Sequence, residues 1–300
     1  MARKIVIVSD TALDERWGGV PLHTSHLMRA FPDALQLTSK RMGVEGCIQA
    51  PHRARALGEA AMSRELVAPD DLIIADGFWG CGFPNPERVV TVVHGMLEGR
   101  YPGNQLSRFQ IVYFKGCKHL VAVSNSANHE VDKYCGVDID EVIMNSVDTD
   151  LFKLAPILER PRLVGTTAKG DKELQPSLKM GGYEFKIISG HWPDDIIRGL
   201  QQCAVYTHIS KHEGNAYSIL EAMACGLPVV GTPVGLLWDS ASHFGPEIKM
   251  DVSVPELMVA IEESAAHYYD YRLRNRAWVE DNCNLSHFIE RWHRYVETLA

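Results

Sequence analysis

The sequence predicts an α/β protein made of two doubly wound, parallel-sheet domains. Short, nearly continuous apolar runs alternate with helix-period stretches from end to end. Strands buried on both faces read this way when helices cover a parallel sheet. A polar segment carrying Pro156 and Pro161, residues 145–161, then breaks the pattern. After it the alternation restarts, so the expected domains are 1–150 and 151–284, with a last helix over 285–300. That helix reads equally as crossing back to the first domain or packing on its own.

In the first half, KIVIV at 4–8 reads as a strand, followed by a glycine-containing loop and a helix over 21–31. A helix over 51–66 precedes strands at 71–75 and 88–93, the latter rich in β-branched residues. Helices over 105–116 and 126–135 flank a strand at 119–123, and 142–144 closes the domain. In the second half, strands are expected at 162–165, 184–189, 204–209 and 228–231. Helices are expected over 172–180, 194–203 and 218–225, the last ended by Gly226 and Pro228. One βα unit between 172 and 184 reads as reduced. Helices over 254–267, 269–281 and 285–299 fill the tail. Open α/β sheets bind ligands beyond the carboxyl ends of their strands, so the two domains are expected to face each other across a cleft.

A formal charge of −8 and a pI near 5.9 give no global basic footprint for nucleic acid or an anionic membrane. Arg53, Arg55 and Arg64 on one helix form either a local basic patch or a solvated face. Seven cysteines, none in a C-x-x-C pair, read as reduced core thiols, and thirteen histidines show no metal-binding spacing. MARKIVIVSD reads as a first strand rather than a signal peptide. No apolar stretch reaches the roughly 18 residues of a membrane span, so a cytoplasmic enzyme is the expectation.

The most informative segment is SKHEGNAYSILEAMACGLPVVG, residues 210–231. A loop carries Glu213, Gly214 and Asn215; a helix then carries Glu221. A helix N-terminus offers N–H groups and partial positive charge to a diphosphate, and carboxylates accept bonds from sugar hydroxyls.

HEGNAYSILEAMACGLPVV resembles the E-x7-E element of retaining glycosyltransferases with the GT-B fold, glycosyltransferase family 4 above all. The resemblance extends over most of the chain. GGVPLHTSHLMRAF resembles the family's GG-x-x-x-H loop, VVHGMLEGRY its first-domain histidine at a strand end, and VIMNSVDTDLF its interdomain segment, with Ser146 for the usual glycine. LVGTTAKG resembles the first strand and loop of the second domain, with Thr166 where an arginine is usual; Lys172 or another residue then supplies the second cation, or leaving-group stabilisation is weaker. The resemblance implies transfer of a sugar from a UDP- or GDP-linked nucleotide sugar to an unknown hydroxyl acceptor, with retention and without metal or other cofactor. It implies a catalytic set of His94, Glu213 and Lys169. It implies donor binding by Gly18, Gly19, Lys169, Gly214, Asn215, Ala216, Tyr217, Ser218 and Glu221, with Glu221 on the ribose. Ser124 and Asn145 are expected near the cleft, and Asp138–Asp140 is not a convincing metal motif. FWGCGFPNP, residues 78–86, reads either as an acceptor wall or as a plain packed loop. A sugar-nucleotide epimerase or hydrolase, and a catalytically weak nucleotide-binding scaffold, are the alternatives.

Overall fold

Each apolar run expected to be a strand within the described residues pairs in parallel with its neighbours. The computed structural model describes residues 4–15, 18–45, 50–156, 163–166, 182–188, 193–238 and 241–299. They divide into two units, 1–144 with 288–300, and 145–287.

In the first unit the elements run β1 (Ile5–Ser9), α1 (Gly19–Ala30), β2 (Leu35–Thr38), α2 (Ala50–Ser63), β3 (Leu72–Asp76) and β4 (Val89–Val93). They continue with α3 (Leu97–Arg100), α4 (Gln105–Lys115), β5 (His119–Ala122), α5 (Asn125–Cys135) and β6 (Glu141–Val142). The sheet order is β2-β1-β3-β4-β5-β6, and every pairing is parallel. β3 and β4 are buried along their whole length, as VVTVV-type runs require. β2 was not expected: LQLT is short, lies at the sheet edge, and is buried only over its last two residues. The chain leaves β1 in both directions across the sheet, so the order reverses beside it. In doubly wound sheets such a reversal, at the carboxyl ends of β1 and β3, is where ligand crevices form.

Two glycines set the spacing behind this sheet. A Cβ on Gly58 of α2 would lie 2.1 Å from the Gly82 carbonyl oxygen. The 3-10 turn at Gly77–Gly82 therefore presses directly on α2. Gly58→Ala should cost about 2–3 kcal/mol through forced separation of the two, measured by urea unfolding. Trp79 and Phe83 of the same region are buried in the cluster that includes Leu57, Ile73 and Val89. Trp79, Gly80 and Phe83 of FWGCGFPNP are thus packing surface, while Pro84 and Pro86 are exposed.

The second unit contains β7 (Leu163–Thr166), β8 (Glu184–Ile187), α6 (Pro193–Leu200), β9 (Val205–His208), α7 (Tyr217–Ala224) and β10 (Val229–Gly231). α8 (Ala241–Phe244), α9 (Val254–Ala266) and α10 (Tyr268–Asn282) follow. The parallel sheet has the order β10-β9-β7-β8, so its reversal lies beside β7 and the acid-bearing loop follows β9. The helix expected over 172–180 falls outside the described residues. Ser146 is fully buried and is not at positive φ, so serine fits there without strain.

The chain ends in α11 (Leu285–Thr298), whose residues from Phe288 onward belong to the first unit. Phe288, Trp292 and Tyr295 are buried, and the Tyr295 hydroxyl donates to Asp140 at 2.8 Å. Asp140 also accepts the Leu120 N–H at 3.1 Å, so it ties α11 to β5.

Candidate functional site

In the second unit, Glu213 sits in the loop between β9 and α7. Its Oε1 lies 3.3 Å from the Ser210 hydroxyl and 3.4 Å from His208 Nε2. Thr232, just past β10, ties the base of this loop: its hydroxyl accepts the Ser210 N–H at 3.0 Å and donates to the Ser210 carbonyl. A Cβ on Gly235, at φ +55°, would come within 2.7 Å of the Gly214 carbonyl oxygen. Only glycine permits that approach. Asn145 donates through Nδ2 to the Asn215 carbonyl at 2.7 Å, which gives this buried asparagine a loop-holding role.

α7 begins at Tyr217 with Ala216 as its N-cap, and no side chain caps it. Ser218 is part-exposed while Ile219 to Ala224 are all buried, so the helix meets its surroundings polar end first. At its other end Arg276 of α10 donates to the Ala224 carbonyl at 2.8 Å, the Thr149 carbonyl at 2.9 Å, and the Phe152 carbonyl. Asn275 donates to the Leu227 carbonyl at 2.8 Å. Glu221 is 5 % exposed, and burial pushes its carboxyl up to about 7. Burial of this kind disfavours the charged form, and carboxyls so perturbed cluster at functional sites.

In the first unit, Gly18 precedes α1 in extended backbone, and a Cβ there would meet only Pro21 at 3.7 Å. Neither conformation nor packing demands glycine at 18, and it brings no capping side chain to α1. His94 follows β4 directly. Its Nε2 is 2.8 Å from Asp76 Oδ1 at the end of β3. Thr24 of α1 donates to Asp76 Oδ2 at 2.8 Å. His23 Nδ1 lies 3.3 Å from the same Oδ1 but off the line of a hydrogen bond, so both its ring nitrogens go unpaired. Burial acts to raise the Asp76 pKa, but the two histidines beside it, His94 at 2.8 Å and His23 at 3.3 Å, outweigh it and hold the carboxyl well below the usual range. Burial also lowers the His23 pKa and keeps that ring neutral. The donor atoms of His23, Asp76 and His94 lie within 4.8 Å of one another, the spacing of a potential metal ligand set. Asp76 and His23 were not singled out from the sequence as site residues.

The other expected positions distribute as follows. Ser124 is the N-cap of α5, accepting the Ala127 N–H at 3.0 Å. Thr166 ends β7 and is buried. Lys169 lies outside the described residues. Arg53 pairs with Asp10 at 3.3 Å, while Arg55 and Arg64 are exposed. Residues Phe83 and Pro84 line two cavities of about 420 and 410 Å³. Those cavities also involve Asp71, Val89 and Cys117, at the amino ends of β3, β4 and β5, opposite the strand ends that carry Asp76 and His94. No described helix is long and apolar enough to cross a membrane.

Residues 151–245 match the family model described as Glycosyl transferases group 1. No curated protein matches the chain. Among solved structures, a sucrose-phosphate synthase from Thermosynechococcus elongatus is 13% identical with a TM-score of 0.76, covering 99% of each chain. Anabaena HepE in complex with UDP-glucose is 15% identical with a TM-score of 0.71, covering 98% of this chain and 99% of that one. A glycosyltransferase from Rickettsia africae is 12% identical with a TM-score of 0.66, covering 99% and 98%. The chain therefore has the GT-B fold of glycosyltransferases. Its segment 151–245, which holds the two acids, carries the sequence features of the group 1 glycosyl transferases, and glycosyl transfer is the activity this supports.

Proposed function

We propose that the protein transfers a sugar from a UDP- or GDP-linked donor to a hydroxyl acceptor with retention of configuration, in the cytoplasm and without a metal or other cofactor. The observation that carries this reading is the Glu213 loop leading into α7, whose N-cap Ala216 brings no capping side chain and whose Glu221 is buried with a raised pKa. Anabaena HepE, of the same fold, has been solved with UDP-glucose. In this reading the N–H groups from Gly214 through Ser218, with Gly18, Gly19 and Lys169, hold the diphosphate. Glu221 accepts from the ribose and Glu213 from the transferred sugar. His94 contacts a hydroxyl of that sugar.

The test is turnover of UDP- and GDP-sugars, after a thermal-shift screen. A donor at 100 times its dissociation constant should stabilise the protein by about 2.7 kcal/mol. Glu213→Ala and Lys169→Ala should each lower transfer by about 100-fold or more. Unchanged transfer in both variants would overturn the site. Donor consumption that needs no acceptor would mark a hydrolase or epimerase instead.

A further inference from the structure

We propose that Asp76 is a positioning residue for His94: it holds that imidazole in the Nε2–H tautomer and leaves Nδ1 as the acceptor for a substrate hydroxyl. The inference rests on the reading of His94 as a sugar contact.

Asp76 is 4 % exposed at the end of β3 and faces donors on both oxygens. Thr24 donates to Oδ2 at 2.8 Å, and His94 Nε2 lies 2.8 Å from Oδ1. With the Thr24 hydroxyl donating to Oδ2 and the His94 ring nitrogen 2.8 Å from Oδ1, the carboxylate serves as acceptor on both oxygens. The proton on His94 is therefore fixed at Nε2 by its partner, as second-group bonds to imidazole commonly do. His23 sits edge-on to the His94 ring, centroids 4.8 Å apart at 87°, and is fully buried. Phe288 and Trp292 of α11 pack against His23 at 5.6 and 6.3 Å. His94 alone of the three is open, its side chain 22 % exposed. The backbone beyond it is also held: Met96 N–H donates to Glu130 and Leu97 N–H to Gln110, each at 2.8 Å.

A metal ion would organise the same three groups differently. Ligands about 2.0–2.1 Å from a tetrahedral ion lie roughly 3.3 Å from each other. The 2.8 Å between His94 and Asp76 is a hydrogen-bond distance.

The experiment is long-range ¹H–¹⁵N correlation on the full chain with labelled histidine, beside steady-state kinetics. Wild-type His94 is expected as the Nε2–H tautomer. Asp76→Asn should lose that fixed tautomer and lower kcat about 100-fold, with donor KM nearly unchanged, as expected when an imidazole is held in the wrong tautomer. Thr24→Val, which removes only the bond to Oδ2, should give a smaller change in the same direction and guards against misfolding of the first variant. The proposal is overturned if His94 is Nδ1–H in the wild type, or if its tautomer is the same in Asp76→Asn. Stoichiometric zinc in the purified protein, lost in that variant, would also overturn it. If the tautomer shifts but kcat holds, Asp76 is structural and the proposal again fails. If the wild type transfers no sugar at all, the functional reading fails, and the tautomer still decides the positioning.

Discussion

Glu221→Gln should make the protein more stable than the wild type above pH 7, by about 3 kcal/mol relative to the difference at pH 4. The folded carboxyl titrates at about 7, against its ordinary value of 4.5, because burial disfavours its charge. The folded state therefore holds its proton more tightly than the unfolded chain. This contribution to stability is complete below pH 4.5, declines between 4.5 and 7, and is gone above that. Glutamine carries no such slope, so the two unfolding-versus-pH curves should diverge across this window. Parallel curves would show that the carboxyl is not desolvated. If Glu221 holds the donor ribose as proposed, the same substitution should weaken nucleotide binding, because an amide oxygen accepts less strongly than a carboxylate. A gain in stability with a loss of binding is the usual mark of a residue kept for function.

Arg276→Met is expected to destabilise the second unit by about 3–5 kcal/mol, because it strips a charged donor from several carbonyls at once. The guanidinium is 14 % exposed and joins Ala224 at the end of α7 to Thr149 and Phe152. It also suits the negative end of the α7 dipole. Methionine fills the volume but pairs none of these groups. Denaturant unfolding followed by near-UV circular dichroism measures the loss. A change under 1 kcal/mol would mean that water replaces the guanidinium without cost.

Residues 210–231 were legible because their signals are local. The acids, the helix and its Gly-Pro stop lie within one short stretch, and period and capping rules act over that range. The strand β2 was missed for the converse reason: LQLT takes its strand character from pairing with β1, not from its own pattern. In the sequence Asp76 is merely the residue after an apolar run. Its meaning comes from Thr24, 52 residues away, and His94, 18 residues away, and no spacing rule joins them. His23 was visible within GGVPLH but not as a buried, unpaired imidazole. Asp140 likewise needed Tyr295 from the far end of the chain to show its structural role.

The amino-acid order alone determined the α/β class, the alternation of strands and helices, and the loop–helix–strand segment with its two acids, since each depends on neighbours a few positions apart. Only the tertiary structure decided that Glu221 is desolvated, that Asp76 holds His94, and that α11 closes over His23. Those depend on which groups meet and how much water they lose, quantities set by the folded surroundings.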